Sequence, residues 1–273
     1  MTKSSSVKAV SLDVWETLLF ERDGFDAERH RIRCANLSRV LEKHGVSVPI
    51  GKMQRALDSM HPWFREVWGR DEDVTHHDQL EFIVRAATDG TFEAGEGWLS
   101  SLSRAYTSAF HELPPDLNPD ALPLLRWLKT RGIRLGITSN TGRTPGFVLR
   151  DFLEKEGLAE FFDAMIFSDE VGVRKPNPEI FHLLAERLKA DLGSVVHIGD
   201  SLRSDVWGAK NAGMMAFHFS PGFGHNRSAQ IDSRSLAPLE ERWSASDPRV
   251  IEPEATITSL ADTANAIQQL TRR

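Results

Sequence analysis

The stretch VVHIGDSLRSDVWGAKNAGMMAFHF, residues 195–219, reads as one strand–helix–strand unit. Ser194–Ile198 is apolar and partly β-branched, and Gly199 and Asp200 break it; a helix Asp205–Ala212 ends at Gly213, and Met215–Phe219 is a second apolar run. The alternation extends upstream. A helix opens at Asn118-Pro119, carries Leu122, Leu125 and Leu128, and stops at Gly132; the strand Arg134–Thr138 follows. Helix Phe147–Lys155, strand Ala164–Phe167 and helix Pro178–Leu188 continue the series. Strands alternating with helices of about 10–15 residues predict an α/β fold with a doubly wound parallel sheet. The first strand is Val7–Leu12, ending at Asp13. Ligands of such sheets bind at the carboxyl ends of strands, where Asp13, Ser139 and Asp200 fall.

Between Glu21 and Glu112 the pattern is helical. Ile32, Leu37, Val40 and Leu41 recur at helix spacing, as do Leu80, Ile83, Val84 and Ala87, and Gly45, Pro49, Pro62 and Gly90 divide the stretch. Residues 21–112 are therefore expected to form a helical insert, with 1–20 and 113–273 forming the sheet domain. Within the latter, 221–248 is polar and aperiodic and reads as a surface loop. Ala255–Ile257 and the helix Ser259–Leu270 return the chain to the sheet edge.

Hydrophobic residues make up 40% and charged residues 26%, enough for a sizeable core, and the net charge of −6 argues against a nucleic-acid or anionic-membrane binder. The basic run Arg29-His30-Arg31-Ile32-Arg33 has acidic neighbours, Asp26 and Glu28, and reads as a solvated helix face. Cys34 is the single cysteine, so neither an intrachain disulfide nor a cysteine zinc cluster can form; it reads as a small buried hydrophobe. The N-terminus lacks the apolar stretch of a signal peptide, and no run approaches the ~20 apolar residues of a membrane span. The expectation is a cytoplasmic protein.

Four segments carry the chemistry: SLDVWETLLF (11–20), GITSN (136–140), GVRKPNPEIF (172–181) and VVHIGDSLRSDVWGAKNAG (195–213). They supply an aspartate, a hydroxyl beside an amide, a lysine and two aspartates, a set suited to holding a phosphoryl group beside a divalent cation. The constellation resembles the haloacid dehalogenase (HAD) superfamily, whose members are mostly phosphatases with a Rossmann-like core. The resemblance spans about 1–20 and 113–220 and implies that Asp13 is the nucleophile and forms an aspartyl-phosphate. Mg²⁺ would be held by Asp13, the carbonyl of Trp15, Asp200 and Asp205. Ser139 and Asn140 would bind the phosphoryl group, with Thr138 a competitor for that role. Lys175 would offset transition-state charge, Asp205 would also N-cap the following helix, and Gly199 would let the backbone turn.

Trp15 departs from that pattern. The phosphatases place a second Asp two residues after the nucleophile, where it protonates the leaving alcohol and activates water, help worth ~10²–10⁴-fold. Indole cannot move that proton. A residue of the insert or Glu16 in an unusual turn could replace it, or the substrate could have a leaving group that needs no proton, or a halide could leave. The 2-haloacid dehalogenases, which are metal-free, do have an aromatic residue here. They also have Ser and Asn where this chain has Asp200 and Leu202, a Gly-Thr step where it has Glu16-Thr17, and an Arg-x-Lys-Gln signature absent here. Asp200 therefore favours metal-dependent phosphoryl chemistry, with a dehalogenase or a catalytically weak binding protein as alternatives.

The insert resembles the helical cap of the phosphoglycolate-phosphatase-like branch, which implies a small phosphorylated substrate, such as a sugar phosphate, and a monomer or homodimer. His61, Trp63, Arg65 and Trp68 are candidates for cap residues facing substrate, with Arg65 and the Trp15 side chain expected to contact it. The alternative is that the tryptophans pack the cap and Arg65 is solvated. His76-His77 is expected at the surface, because adjacent histidines on a helix point apart.

Overall fold

The computed structural model describes residues 7–92, 95–221 and 252–272. Its main sheet contains β1 (Ala9–Leu12), β4 (Arg134–Ser139), β5 (Ala164–Phe167), β6 (Val195–Gly199), β7 (Met215–Phe219) and β8 (Ala255–Ile257). The order is β5-β4-β1-β6-β7-β8, and every pairing is parallel. Buried on both faces, the strands read as near-continuous apolar runs. β1 is central. Leu12 pairs with Ile137 on one side and Ile198 on the other, so Asp13 emerges between the ends of β4 and β6 where the strand order reverses.

On one face pack α6 (Ala121–Lys129), α7 (Gly146–Lys155) and α11 (Thr263–Leu270), through Leu124, Leu128, Leu149, Phe152 and Ile267. On the other, α9 (Pro178–Leu188) and α10 (Gly208–Asn211) bury Ile180, Phe181, Leu184 and Ala209. A four-residue helix, α8 (Ser168–Val171), follows β5.

A two-stranded antiparallel pair, β2 (Leu19–Phe20) and β3 (Asp116–Leu117), carries the chain out of the sheet domain and back. Between them lie α1 (Phe25–Lys43), α2 (Ile50–Asp58), α3 (Met60–Trp68), α4 (His76–Ala87) and α5 (Glu96–Glu112). These helices enclose their own apolar cluster, including Cys34, Leu37, Leu57, Phe64, Ile83 and Tyr106. No described helix is long and apolar enough to cross a membrane.

The strands fall within two residues of their expected positions, but several local readings change. Pro62 lies inside the first turn of α3, where its missing N–H costs no helix bond. The helix expected at Asp205–Ala212 begins as a π-helical turn, Leu202–Trp207, capped by Ser201 accepting from the Ser204 amide, so Asp205 is not the N-cap. The basic run is not a solvated face: Arg29 and Arg33 are both 2% exposed. Arg29 pairs with Glu21, donates to the Leu113 carbonyl at 3.0 Å and lies over the Phe110 ring. It thereby ties together the two chain crossings at the base of the insertion. Arg33 lies over the Tyr106 ring. The expected loop at 221–248 lies, beyond Pro221, outside the described residues.

His77 is exposed as expected, but His76 is half-buried between Ser103, Tyr106 and Phe147, the last on α7 of the sheet domain. Burial, followed by the charges of His77 and Arg33, pulls its pKa down to about 4. A depressed histidine stabilises the folded state fully above its unfolded pKa of 6.5, and that stability is lost as pH falls toward 4. The loss should be on the order of 2 kcal/mol. His76→Gln should lack that component, so the difference between the two proteins' denaturation curves should change between pH 7.5 and pH 4.5. A constant difference would refute the assignment.

Candidate active site

Asp13 leaves the end of β1 with 7% exposure. Lys175, in the loop between α8 and α9, reaches it with its ammonium 2.8 Å from Asp13 Oδ1 and 2.6 Å from Asp205 Oδ1. His197 on β6 lies 2.9 Å from the same Asp205 oxygen through Nε2, and its Nδ1 is 2.9 Å from Ser11 Oγ. Ser11 in turn meets Thr138 Oγ1 at 3.1 Å. A buried polar chain thus crosses three adjacent strands, and Thr138, the competitor for phosphoryl binding, is used within it.

Burial pushes the Asp13 carboxyl above the ordinary carboxylate range against the pull of Lys175. Burial would also raise Asp205, but Lys175 and His197 outweigh it and hold that carboxyl well below the usual range. The two aspartates likewise overcome burial at Lys175 and keep its ammonium charged. Burial lowers His197, favouring the neutral ring.

Ser139 ends β4 with no exposure, and among the described residues its Oγ has no hydrogen-bond partner. A buried hydroxyl without a partner is costly, so it suits an incoming acceptor. Asn140 is committed elsewhere. Its side-chain carbonyl accepts from the Lys175 amide at 2.7 Å and its NH₂ donates to the Lys175 carbonyl at 2.9 Å. The side chain expected to touch substrate instead fixes the backbone of the lysine.

Gly199 is required for proximity rather than for a special turn. A Cβ there would overlap the Asp205 carboxylate, and no left-handed φ is involved. Asp205 Oδ2 accepts from the Ser201 amide at 2.9 Å, closing the turn around Asp200. Asp200 is partly exposed, and its carbonyl accepts from His218 Nε2 at 3.0 Å.

One carboxylate oxygen each from Asp13, Asp200 and Asp205 lies within 4.8 Å of the others. Three carboxylates against one ammonium leave an excess of two negative charges, which a divalent cation would balance. Hard oxygen donors on one side of a partly open site fit Mg²⁺, which keeps several waters.

The Trp15 indole sits edge-on to Phe110 of α5, with ring centroids 6.3 Å apart. Glu16 takes a left-handed φ of 54°, the unusual turn that the sequence left open. Burial, then the charge of Asp13, raises its carboxyl to about 7. Of the four α3 candidates, Trp63 stacks on Phe82 inside the insertion. His61 meets Arg143 of the loop after β4, and Trp68 lies over Arg174 and against Gly142. Arg65 lies on the same stripe of α3 and is exposed. Sequence reasoning missed Ser11, His197 and Asp73. The first two alternate with apolar strand residues and carry no motif, and Asp73 stands in an acidic turn that reads as surface.

The site thus sets an aspartate at the switch point of a parallel sheet, beside a lysine and two further aspartates. The haloacid dehalogenase-like hydrolase family model matches residues 7–213, and the chain belongs to that family. It is 36% identical over 222 residues to glyceraldehyde 3-phosphate phosphatase of Methanopyrus kandleri, spanning 79% of this chain and 85% of that protein. Ribulose-1,5-bisphosphate 5-phosphatase of Halopiger xanaduensis is 32% identical over 53% of this chain and 59% of its own length. Among solved structures, 2-haloacid dehalogenase from Pseudomonas syringae superposes with a TM-score of 0.62 at 20% identity, covering 96% of this chain and 99% of that one. A HAD phosphatase from Thermococcus onnurineus gives 0.56 at 25% identity, covering 94% and 96%. The match along the M. kandleri enzyme groups the chain with the family's phosphatases.

Removing a buried cation leaves its partners uncompensated, typically at about 3–5 kcal/mol. Lys175→Met should therefore lower the melting temperature sharply in metal-free buffer. Added Mg²⁺ should recover more of it in the variant than in the wild type. Equal shifts in both proteins would mean that the cation does not share charge balance with Lys175.

Proposed function

We propose that this protein is a Mg²⁺-dependent phosphatase of a small phosphorylated metabolite, such as a sugar phosphate, acting through an aspartyl-phosphate on Asp13. The observation that carries this reading is the convergence of Asp13, Asp200 and Asp205, two of which, Asp13 and Asp205, flank the Lys175 ammonium. The substrates named for relatives support the class: glyceraldehyde 3-phosphate, ribulose-1,5-bisphosphate and, for a Pseudomonas fluorescens relative 28% identical over 183 residues, phosphoglycolate.

In this scheme an Asp13 oxygen attacks phosphorus, an O–P bond forms, and the P–O bond to the leaving alcohol breaks. The departing alkoxide takes a proton from solvent; water then attacks phosphorus, the P–O bond to Asp13 breaks and the water's proton passes to solvent, releasing inorganic phosphate and restoring the Asp13 carboxylate. Ser139 donates its unpartnered hydroxyl to a phosphoryl oxygen. Lys175 holds Asp13 in place and offsets the charge that gathers on the transferring group. Asn140 positions that lysine. Asp13, Asp200, Asp205 and the Trp15 carbonyl would hold Mg²⁺, which supplies positive charge to the phosphoryl oxygens when bound. Residues 21–112 act as a cap that excludes water, with Arg65 and the Trp15 ring at the substrate's edge. Because indole donates no suitable proton, substrates with good leaving groups should turn over best.

The test is a panel of phosphate monoesters and 2-haloacids, with and without Mg²⁺, alongside Asp13→Asn. Phosphate release that requires the metal and falls by at least about 10³-fold in the variant is expected. Halide release without metal would replace this reading with a dehalogenase, and release of neither phosphate nor halide would overturn it and favour a binding protein.

A further inference from the structure

The turn between α3 and α4, residues 70–75, is where the insertion grips the sheet domain, and it does so at the loop that presents Lys175. Glu72 forms an antiparallel bridge with Val173; the Asp73 amide donates to the Gly172 carbonyl at 2.9 Å, and the Arg174 amide donates to the Asp71 carbonyl at 3.1 Å. Residues 71–73 thus pair with residues 172–174 through one isolated bridge, which ends one residue before the lysine.

Asp73 is the centre of this contact, with its side chain 1% exposed. Its Oδ1 accepts from the Trp68 indole N–H at 3.0 Å and from the Val74 amide at 2.8 Å, both within the insertion. Its Oδ2 accepts from Arg174 Nη1 at 3.1 Å and from the Ser168 hydroxyl, both in the sheet domain. One oxygen therefore serves each domain. The Arg174 guanidinium also lies 3.7 Å from the Trp68 ring centroid, so the arginine is held from two sides. Ser168 accepts from the Thr141 amide at 2.7 Å, which extends the connection into the loop where Asn140 clamps the Lys175 backbone. A second arm runs from Asp71 to Arg203 at 2.8 Å, between Asp200 and Asp205 in sequence.

We propose that Asp73 is a positioning residue: by gripping Arg174 and Ser168 when the insertion is docked, it sets the register of the 172–175 segment and hence the Lys175 ammonium between Asp13 and Asp205. Docking of the insertion and assembly of the lysine are then one event. The catalytic consequence rests on the phosphatase reading; the mechanical coupling does not.

Asp73→Asn separates the two halves. Its remaining carbonyl can still accept from Trp68 and Val74, while its NH₂ group cannot accept from Arg174. The expected result is a fall in kcat of between about 10- and 100-fold on the best phosphate ester, with KM changed by less than about threefold. Hydrogen exchange at the Arg174 and Lys175 amides should rise by at least about tenfold, while β1 and β6 amides keep their wild-type protection. Unchanged exchange in residues 172–177 overturns the proposal. So does faster exchange spread evenly over the whole chain, the signature of a merely structural role. Unchanged kcat in an active enzyme overturns the catalytic half. If the wild type releases phosphate from no ester, the phosphatase reading fails, and the exchange measurement still decides the coupling.

Discussion

One buried ammonium organises this molecule. Lys175 is 2% exposed and stands between the carboxylates of Asp13 and Asp205, whose negative charges could not be buried so close together without it. The arrangement sets requirements on its surroundings. Asp205 needs a residue without a side chain at position 199, and the Lys175 backbone needs both ends of the Asn140 amide. His197 and Ser11 fill positions that an ordinary strand core would give to apolar residues, because Asp205 needs a further donor. Each local choice makes sense only with the lysine in place.

The same lysine explains why the insertion matters to a site made almost wholly from the sheet domain. A loop residue carrying a buried charge must be held more tightly than its own short turn allows. Backbone bonds from residues 71–73 and the Asp73 carboxylate provide the missing restraint. At the opposite end, buried Arg29 joins Glu21 to the Leu113 carbonyl where the chain enters and leaves the insertion. The insertion is thus fixed at its base by one cation and at its tip by another, Arg174.

Much of the fold was legible because periodicity reports burial directly. β5, β7, β8 and α9 match their expected limits, and the apolar spacing of α4 marks the face it buries. Charged residues were harder to read. Arg29 and Arg33 look like a solvated stripe because helix spacing says which residues share a face, not whether that face meets water or a buried acid. Asn140 lies beside the lysine, but its partner there, the Lys175 backbone, was not legible, since a motif gives a side chain's neighbourhood without its partner. Ser11, His197 and Asp73 were missed for a related reason: each bonds to residues 95 to 186 positions away, and no local pattern encodes such a pairing.

Position 15 joins these themes. An acid there would face the same charge problem as Asp13, close to a cluster that already holds three carboxylates against one ammonium. The indole avoids that repulsion and packs against Phe110, the ring that also faces Arg29 and Phe152 at the base of the insertion. The turn after Asp13 is therefore braced against the joint between the two domains. Its remaining acidic member, Glu16, is forced into a left-handed conformation, and burial raises its carboxyl's proton affinity. The exchange of carboxylate for indole leaves the groups proposed to hold phosphate and cation intact. It shifts the demand for a proton onto the substrate's leaving group or onto a neighbouring carboxyl, so leaving-group sensitivity is the property in which this chain should differ most from relatives with the second aspartate.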